Sequence, residues 1–265
     1  MQRVEAQFAD GRIQAEREGP IGWLTFNQPE RLNAVRRDMW DALPAAVASL
    51  VDSGIRAIVV RGAGDKSFIS GADIAEFDVQ RNDAPTNRSF TASVTAATGA
   101  LLAAPVPVIA MIKGYCIGGG MVIASACDIR VAAEGSRFGV PAGKLGLGYE
   151  VDNLARLQGI VGSGMALEMI ATARQFSADE VFRAGFLNRI VALDSLEQSV
   201  RDIVDEITAT APMTYAAAKL ASRAARDTSL GDAAQAAIDA CFDSNDFKEG
   251  RAAFHARRMP SFTGN

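Results

Sequence analysis

Residues 109–128 read IAMIKGYCIGGGMVIASACD. Residues 107–112 are an apolar run rich in β-branched side chains; Lys113 and Gly114 end it, and Gly118, Gly119 and Gly120 open a stretch of small residues. This order predicts a strand, a tight turn and the N-terminus of a helix. Residues 121–126 carry no charge, so the helix must be packed inside, and so must whatever its first turn points at. Three glycines leave backbone N–H groups uncovered there, where the helix dipole favours negative charge on an approaching oxygen. A close helix–strand contact would call for glycine equally well. A second glycine-flanked turn at residues 70–73 favours the ligand.

At 265 residues the chain is long enough for one large core. Hydrophobic content of 49 %, charged content of 22 % and a net charge of −4 are ordinary for a soluble protein and offer no general attraction for nucleic acid or an anionic membrane. The three cysteines, Cys116, Cys127 and Cys241, are odd in number and lack metal-ligand spacing, which points to a reducing compartment without disulfides or zinc. The first residues, MQRVEAQFADGRIQAEREG, mix charges without an apolar core, and no later run reaches the length of a membrane span. A cytoplasmic location is therefore expected. The single histidine, His255, excludes a His-rich metal site and argues against a Ser-His-Asp triad.

Outward from the central stretch, residues 12–26 read as two strands about Gly19 and Pro20, and 27–33 as a polar turn. A helix is expected over 39–51 with Asp38 as its N-cap, then a strand over 55–62. Residues 64–77 read as a loop running into a helix start, with Ser70, Gly71 and Asp73 as turn and cap residues, and the polar 78–88 as a mobile loop. Residues 87–104 are helical in pattern and 128–134 form a strand. The segment FGVPAGKLGLGYEVDN, 138–153, is too glycine-rich for regular structure and too apolar for an idle surface loop, so it should line something. Helices follow over 153–161, 164–173, 178–184, 195–210, 212–226, 231–243 and 246–257, with a strand at 188–193.

The turns at 70–73 and 118–120 each lie beside a helix start and each can present an unpaired amide. Two converging amides make an oxyanion hole, in which loss of one donor costs about 2.7–4 kcal/mol. In these stretches the chain resembles the crotonase, or enoyl-CoA hydratase/isomerase, superfamily. The resemblance is carried by NQPERLNA (27–34), SFISGADIAEF (67–77), IAMIKGYCIGGG (109–120), CDIRVAAEGSRFGVPAGKLGLG (127–148), FSADEVFRAGFLNRIV (176–191) and EGRAAFHARRMPSF (249–262), nearly the whole chain. It implies an α/β spiral of strand-strand-helix turns over 1–195 and a C-terminal helical region over 196–265 used for trimerisation, as a trimer or a dimer of trimers. It implies an acyl-CoA substrate and no separate cofactor, coenzyme A being part of the thioester. The thioester carbonyl would be held by the amides of Ala72 and Gly119. The substrate would lie along Leu32, Ala34, Gly71, Asp73, Ile74, Gly118 and Tyr149. Arg31 and Arg257 would serve as phosphate partners; each reads equally as a solvated arginine.

The chain also departs from the family. Family hydratases carry one glutamate two residues after the glycine triplet, where this chain has Val122, and another after the proline of the F-G-x-P motif, where it has Ala142. Hydration needs a base for water and an acid for the α-carbon, so the usual two-glutamate route is closed. Glu150 falls where dienoyl-CoA isomerases and chlorobenzoyl-CoA dehalogenases of the family place an aspartate. It reads as a single proton-moving carboxylate, suited to isomerisation or decarboxylation, or else as an exposed loop residue. Two further readings are an acyl-CoA-binding protein with reduced catalysis and a hydratase with a non-standard acid and base. An RNA-binding role finds no basic patch. Cys116 has the spacing of a nucleophile elbow but reads as a small buried hydrophobe.

Overall fold

The computed structural model describes residues 5–77 and 81–265. The chain runs β1 (Glu5–Phe8), β2 (Ile13–Glu18), β3 (Ile21–Phe26), α1 (Arg37–Asp52), β4 (Ala57–Gly62), β5 (Ser67–Ile69), α2 (Ala84–Ala103), β6 (Val108–Ile112), β7 (Tyr115–Ile117), α3 (Gly119–Ala126), β8 (Ile129–Ala133) and β9 (Arg137–Gly139). It continues through α4 (Val151–Thr172), β10 (Phe176–Ser177), α5 (Ala178–Arg183), β11 (Arg189–Val191), α6 (Leu196–Thr208), α7 (Pro212–Ala224), α8 (Gly231–Asp243) and α9 (Asn245–Ala256).

Seven strands form one sheet in the order β1-β2-β3-β4-β6-β8-β11, antiparallel as far as β3 and parallel beyond it. Alternate residues divide between its faces, as the two-residue strand period requires. Leu24, Phe26, Ile58, Val60, Ala110 and Ile112 join the main core with α1 and α2. Trp23, Val59, Ile109 and Met111 point the other way, into a second core closed by Leu196, Val200, Ile203 and Val204 of α6. A sheet covered on both faces explains why its strands read as unbroken apolar runs.

A second sheet, β10-β9-β7-β5, has strands of two or three residues. The sequence gives no alternating run there, and these residues read as loop or turn. The predicted turn between β6 and α3 therefore contains a strand, β7, which pairs with β5 and β9.

Helix α1 starts two residues earlier than expected. Arg36, not Asp38, occupies the N-cap; Asp38 sits in the first turn because Arg12 and Arg36 draw its carboxylate to them. Residues 84–88 are helical rather than loop. Asp83 caps α2 by accepting from Thr86 N, and Pro85 sits in the first turn, where its missing N–H costs nothing. Residues 78–80 of that expected loop lie outside the described residues. The two helices expected over 153–173 are present within the α4 span, one on each side of a kink at Gly162, whose backbone is not helical (φ 78°, ψ 161°).

Helix α7 is tied to the rest of the fold by a lysine. Lys219 Nζ of α7 donates to Asp128 at 2.7 Å and to the carbonyl of Leu101 at 3.1 Å. Among the described residues, no helix is long and apolar enough to cross a membrane.

Candidate active site

The turn after β5 is fixed by main-chain bonds to the loop before α1. Val35 N donates to Gly71 O at 2.8 Å and Asp73 N to Val35 O at 3.0 Å, while Ser70 N donates to Leu32 O at 3.1 Å. These bonds use the amides on either side of Ala72 and leave the Ala72 N–H without an acceptor among the described residues. Gly71 holds φ +130°, open only to glycine. Asp73 caps the following turn by accepting from Ala75 N at 3.1 Å, and also takes Arg31 Nη1 at 3.0 Å.

The second turn repeats the device. Gly118 (φ 51°, ψ −105°) donates its N–H to Gly139 O at 2.9 Å. Gly119, the first residue of α3, has no acceptor for its own N–H among the described residues, as expected of a helix N-terminus. The two turns touch: a Cβ built on Gly119 would lie 3.4 Å from Gly71 C and 3.5 Å from Ala72 N. Ala72 and Gly119 both line one cavity, of about 150 Å³, together with Gly71, Ile74, Gly118, Tyr149 and Glu150.

Val122 and Ala142 line this cavity and are 7 % and 8 % exposed, so the two positions discussed above face it with apolar groups. Trp40 forms part of the wall, its indole N–H buried and without a partner among the described residues. Glu150 is half-buried at the N-cap of α4. Its Oε1 accepts from Asn87 Nδ2 at 3.1 Å and from Thr91 Oγ1 at 2.8 Å, one turn apart on α2. The Asn87 Oδ1 in turn accepts from Arg81 Nε at 2.9 Å. The Arg81 guanidinium lies 5.1 Å from the Phe77 ring and 4.9 Å from the Phe90 ring. Burial lowers its pKa, and the charge of Glu150 opposes that shift. Burial also pushes the Tyr149 phenol up to about 12, which keeps it protonated at neutral pH.

Some residues singled out from the sequence stand apart. Leu32 and Ala34 belong to the loop bonded to the 70–73 turn and do not line the cavity. Arg31 is half-exposed in its pair with Asp73. Arg257 ends α9 in the left-handed region and is exposed, away from the cavity of its own chain. Cys116 is buried, its thiol pushed well above the ordinary range, so it packs rather than reacts.

Arg81, Asn87 and Thr91 escaped sequence reasoning. A signal did exist: Asn87 and Thr91 continue the stripe of Val94, Ala97 and Leu101 on α2, placing two polar side chains on the face that enters the core.

Comparison with known proteins agrees with the fold. Residues 16–265 match the enoyl-CoA hydratase/isomerase family. A short-chain-enoyl-CoA hydratase of Clostridium acetobutylicum is 34 % identical over 248 residues, 92 % of this chain and 94 % of the relative. A crotonyl-CoA hydratase of Syntrophomonas wolfei is 34 % identical over 251 residues, 93 % and 96 % of the two chains. The crystal structure of an enoyl-CoA hydratase/carnithine racemase from Magnetospirillum magneticum superposes with a TM-score of 0.88 at 35 % identity, covering 98 % of this chain and 97 % of that one. With both sheets, the C-terminal helices and nearly the full length shared, the chain belongs to the enoyl-CoA hydratase/isomerase, or crotonase, superfamily.

Proposed function

We propose that this acyl-CoA enzyme works through a thioester enolate, with Glu150 moving the proton and the amides of Ala72 and Gly119 holding the carbonyl oxygen. The observation that carries the proposal is that Glu150 is the one carboxylate lining the cavity among the described residues, while Val122 and Ala142 face it with apolar groups. Asn87 and Thr91 both bond to Oε1, which leaves Oε2 to take a proton. Breaking the Cα–H bond sends the electron pair onto the thioester oxygen between the two N–H donors, where preorganised dipoles stabilise it without reorganising. Return of the proton from Glu150 to another carbon of the acyl chain is an isomerisation, which needs one carboxylate rather than two. The exposed Phe242, Phe254 and Met259 of the C-terminal segment support assembly into a trimer or a dimer of trimers through that face.

Tyr149 favours a second reading. Its phenol, held protonated in the same cavity, could supply the acid of a hydration whose base is Glu150, and the relatives named above are hydratases. One set of measurements separates the two: α-proton exchange of butyryl-CoA in deuterated water, and hydration of crotonyl-CoA, for the wild type and Glu150→Gln. Exchange should fall by on the order of 10²–10⁴ in the variant while acyl-CoA affinity stays within a few-fold. Wild-type hydration should stay below about 1 per second, the lower end for ordinary enzymes. Unchanged exchange in the variant overturns the role of Glu150. Fast hydration that Tyr149→Phe abolishes establishes the second reading.

A further inference from the structure

Arg81 is the one cationic side chain lining the cavity among the described residues. A guanidinium has five N–H donors in a planar fork. Arg81 spends one, from Nε, on Asn87; its Nη1 and Nη2 donate to no acceptor among the described residues. Phe77 and Phe90 flank it with ring faces, which attract the cation but offer no lone pairs to in-plane N–H groups. The charge of Glu150 reaches it only across the Asn87 amide, whose oxygen faces the arginine and whose nitrogen faces the glutamate. A partly desolvated guanidinium thus holds unspent donors at the wall of a cavity that is otherwise apolar apart from Glu150 and a few neutral groups. Arg81 is half-buried, so its terminal nitrogens still reach solvent, and a ligand that fills the cavity must take these hydrogen bonds in place of water or leave them unmade at a cost.

We propose that Arg81 is the recognition residue for a second carboxylate carried on the acyl group, so that the preferred substrates are short acyl-CoA thioesters with an acidic far end. The inference rests on the placement of the thioester at Ala72 and Gly119. Arginine meets a carboxylate with two parallel hydrogen bonds, a match that a hydroxyl or a methyl cannot make. The cavity volume of about 150 Å³ matches an acyl group of roughly six heavy atoms beyond the carbonyl, since an engineered apolar cavity of that size holds a benzene. Four- to six-carbon diacids attached through one end have this size. Asn87 serves as a spacer that keeps the carboxylate of Glu150 off the arginine and leaves the terminal nitrogens to the substrate.

The test is a set of binding titrations with three pairs of saturated thioesters: succinyl- and butyryl-CoA, glutaryl- and pentanoyl-CoA, adipyl- and hexanoyl-CoA. For at least one pair the wild type should bind the acidic member on the order of tenfold or more tightly, the range for hydrogen bonds between charged groups. In Arg81→Gln that ratio should fall to one or below, because the amide keeps a donor near Asn87 but loses the charge and the fork. Arg81→Lys, with charge but no fork, should retain only part of the preference. A purely positioning role for Arg81 on Asn87 and Glu150 would alter turnover and leave the affinity ratio untouched, so a ratio unchanged in Arg81→Gln overturns the proposal. So does a wild type that binds every neutral member at least as tightly as its acidic partner. Glu150→Gln should keep the ratio while losing proton exchange, so failure of the catalytic reading and failure of the subsite register in different measurements. Absence of binding by all six thioesters overturns both.

Discussion

The two sheets of this protein are held together by different atoms. In the seven-stranded sheet the strands bury side chains on both faces, and its one interior glycine in β3, Gly22, leaves room for side chains: a Cβ there would meet Ile55 Cδ1 at 2.5 Å and Leu50 Cδ2 at 3.1 Å. Around the four-stranded sheet the glycines make room for main chain. A Cβ on Gly114 would overlap the carbonyl oxygen of Lys66, one on Gly120 that of Ile69, and one on Gly139 would lie 2.8 Å from the oxygen of Arg174. Side-chain packing tolerates adjustment, since a rotamer can move; main chain packed on main chain cannot give way without shifting a strand. The small sheet is therefore the stiffer frame, and the turns carrying Ala72 and Gly119 leave it directly.

The sharpest way to break this contrast is to remove one of the free amides while leaving the frame in place. Gly119→Pro deletes the donor at the first helical position, where proline fits an α-helix. Enolate-forming activity, followed as proton exchange at the α-carbon, should fall about a hundredfold or more; full activity in a folded variant would show that the second turn does not hold the oxygen. Next comes the stiffness itself. Gly120→Ala should cost about 3 kcal/mol or more in urea unfolding, because the methyl meets a carbonyl oxygen of β5. Gly22→Ala in the large sheet should cost only about 1 kcal/mol, because the ends of Ile55 and Leu50 can turn aside. Equal costs would erase the distinction between the two sheets.

The smallest effect concerns the loop that closes the cavity. Burial raises the Tyr149 phenol to about 12, against about 10 for an exposed tyrosine. The folded value lies above the unfolded one, so this group's contribution to stability is fully present below about pH 10 and is lost as pH rises towards 12. Urea midpoints of the wild type and Tyr149→Phe should run parallel from neutral pH to about 9, and above that the wild type should fall relative to the variant. Parallel curves up to pH 12 would mean that the phenol is solvated and the loop open.

The same division explains which parts of the molecule could be read from the sequence. Strands β3, β4 and β6 are five or six residues of mostly apolar character and declare themselves. Ser67–Ile69, Tyr115–Ile117 and Arg137–Gly139 are too short for any period to show, and their pairing comes from glycines whose partners lie far away in the chain. The two turns were found because glycine beside a helix start has a local signature. Asn87, Thr91 and Arg81 show no such signature: the first two meet Glu150 across some sixty residues of chain, Arg81 joins them only through Asn87, and the i, i+4 spacing of Asn87 and Thr91 suggests only a shared helix face. The N-cap of α1 is illegible for a related reason: the Asp38 carboxylate is claimed by Arg12, a residue of β2's approach that local spacing cannot weigh.

That the two uncovered N–H groups belong to the main chain has a consequence for how such a protein can change over generations. A main-chain donor is written in no codon; it follows from conformation, and conformation here is guarded by glycines that overlap with their neighbours when altered. The side chains at 122, 142 and 150 carry less of that burden, since they line the cavity and overlap no strand's main chain. Every valine or alanine codon stands a single nucleotide from a codon for glutamate or aspartate. Acid–base groups can thus be gained or lost by single base changes while the place where an oxyanion would sit is inherited intact, so the reaction is free to drift around a fixed electrostatic point.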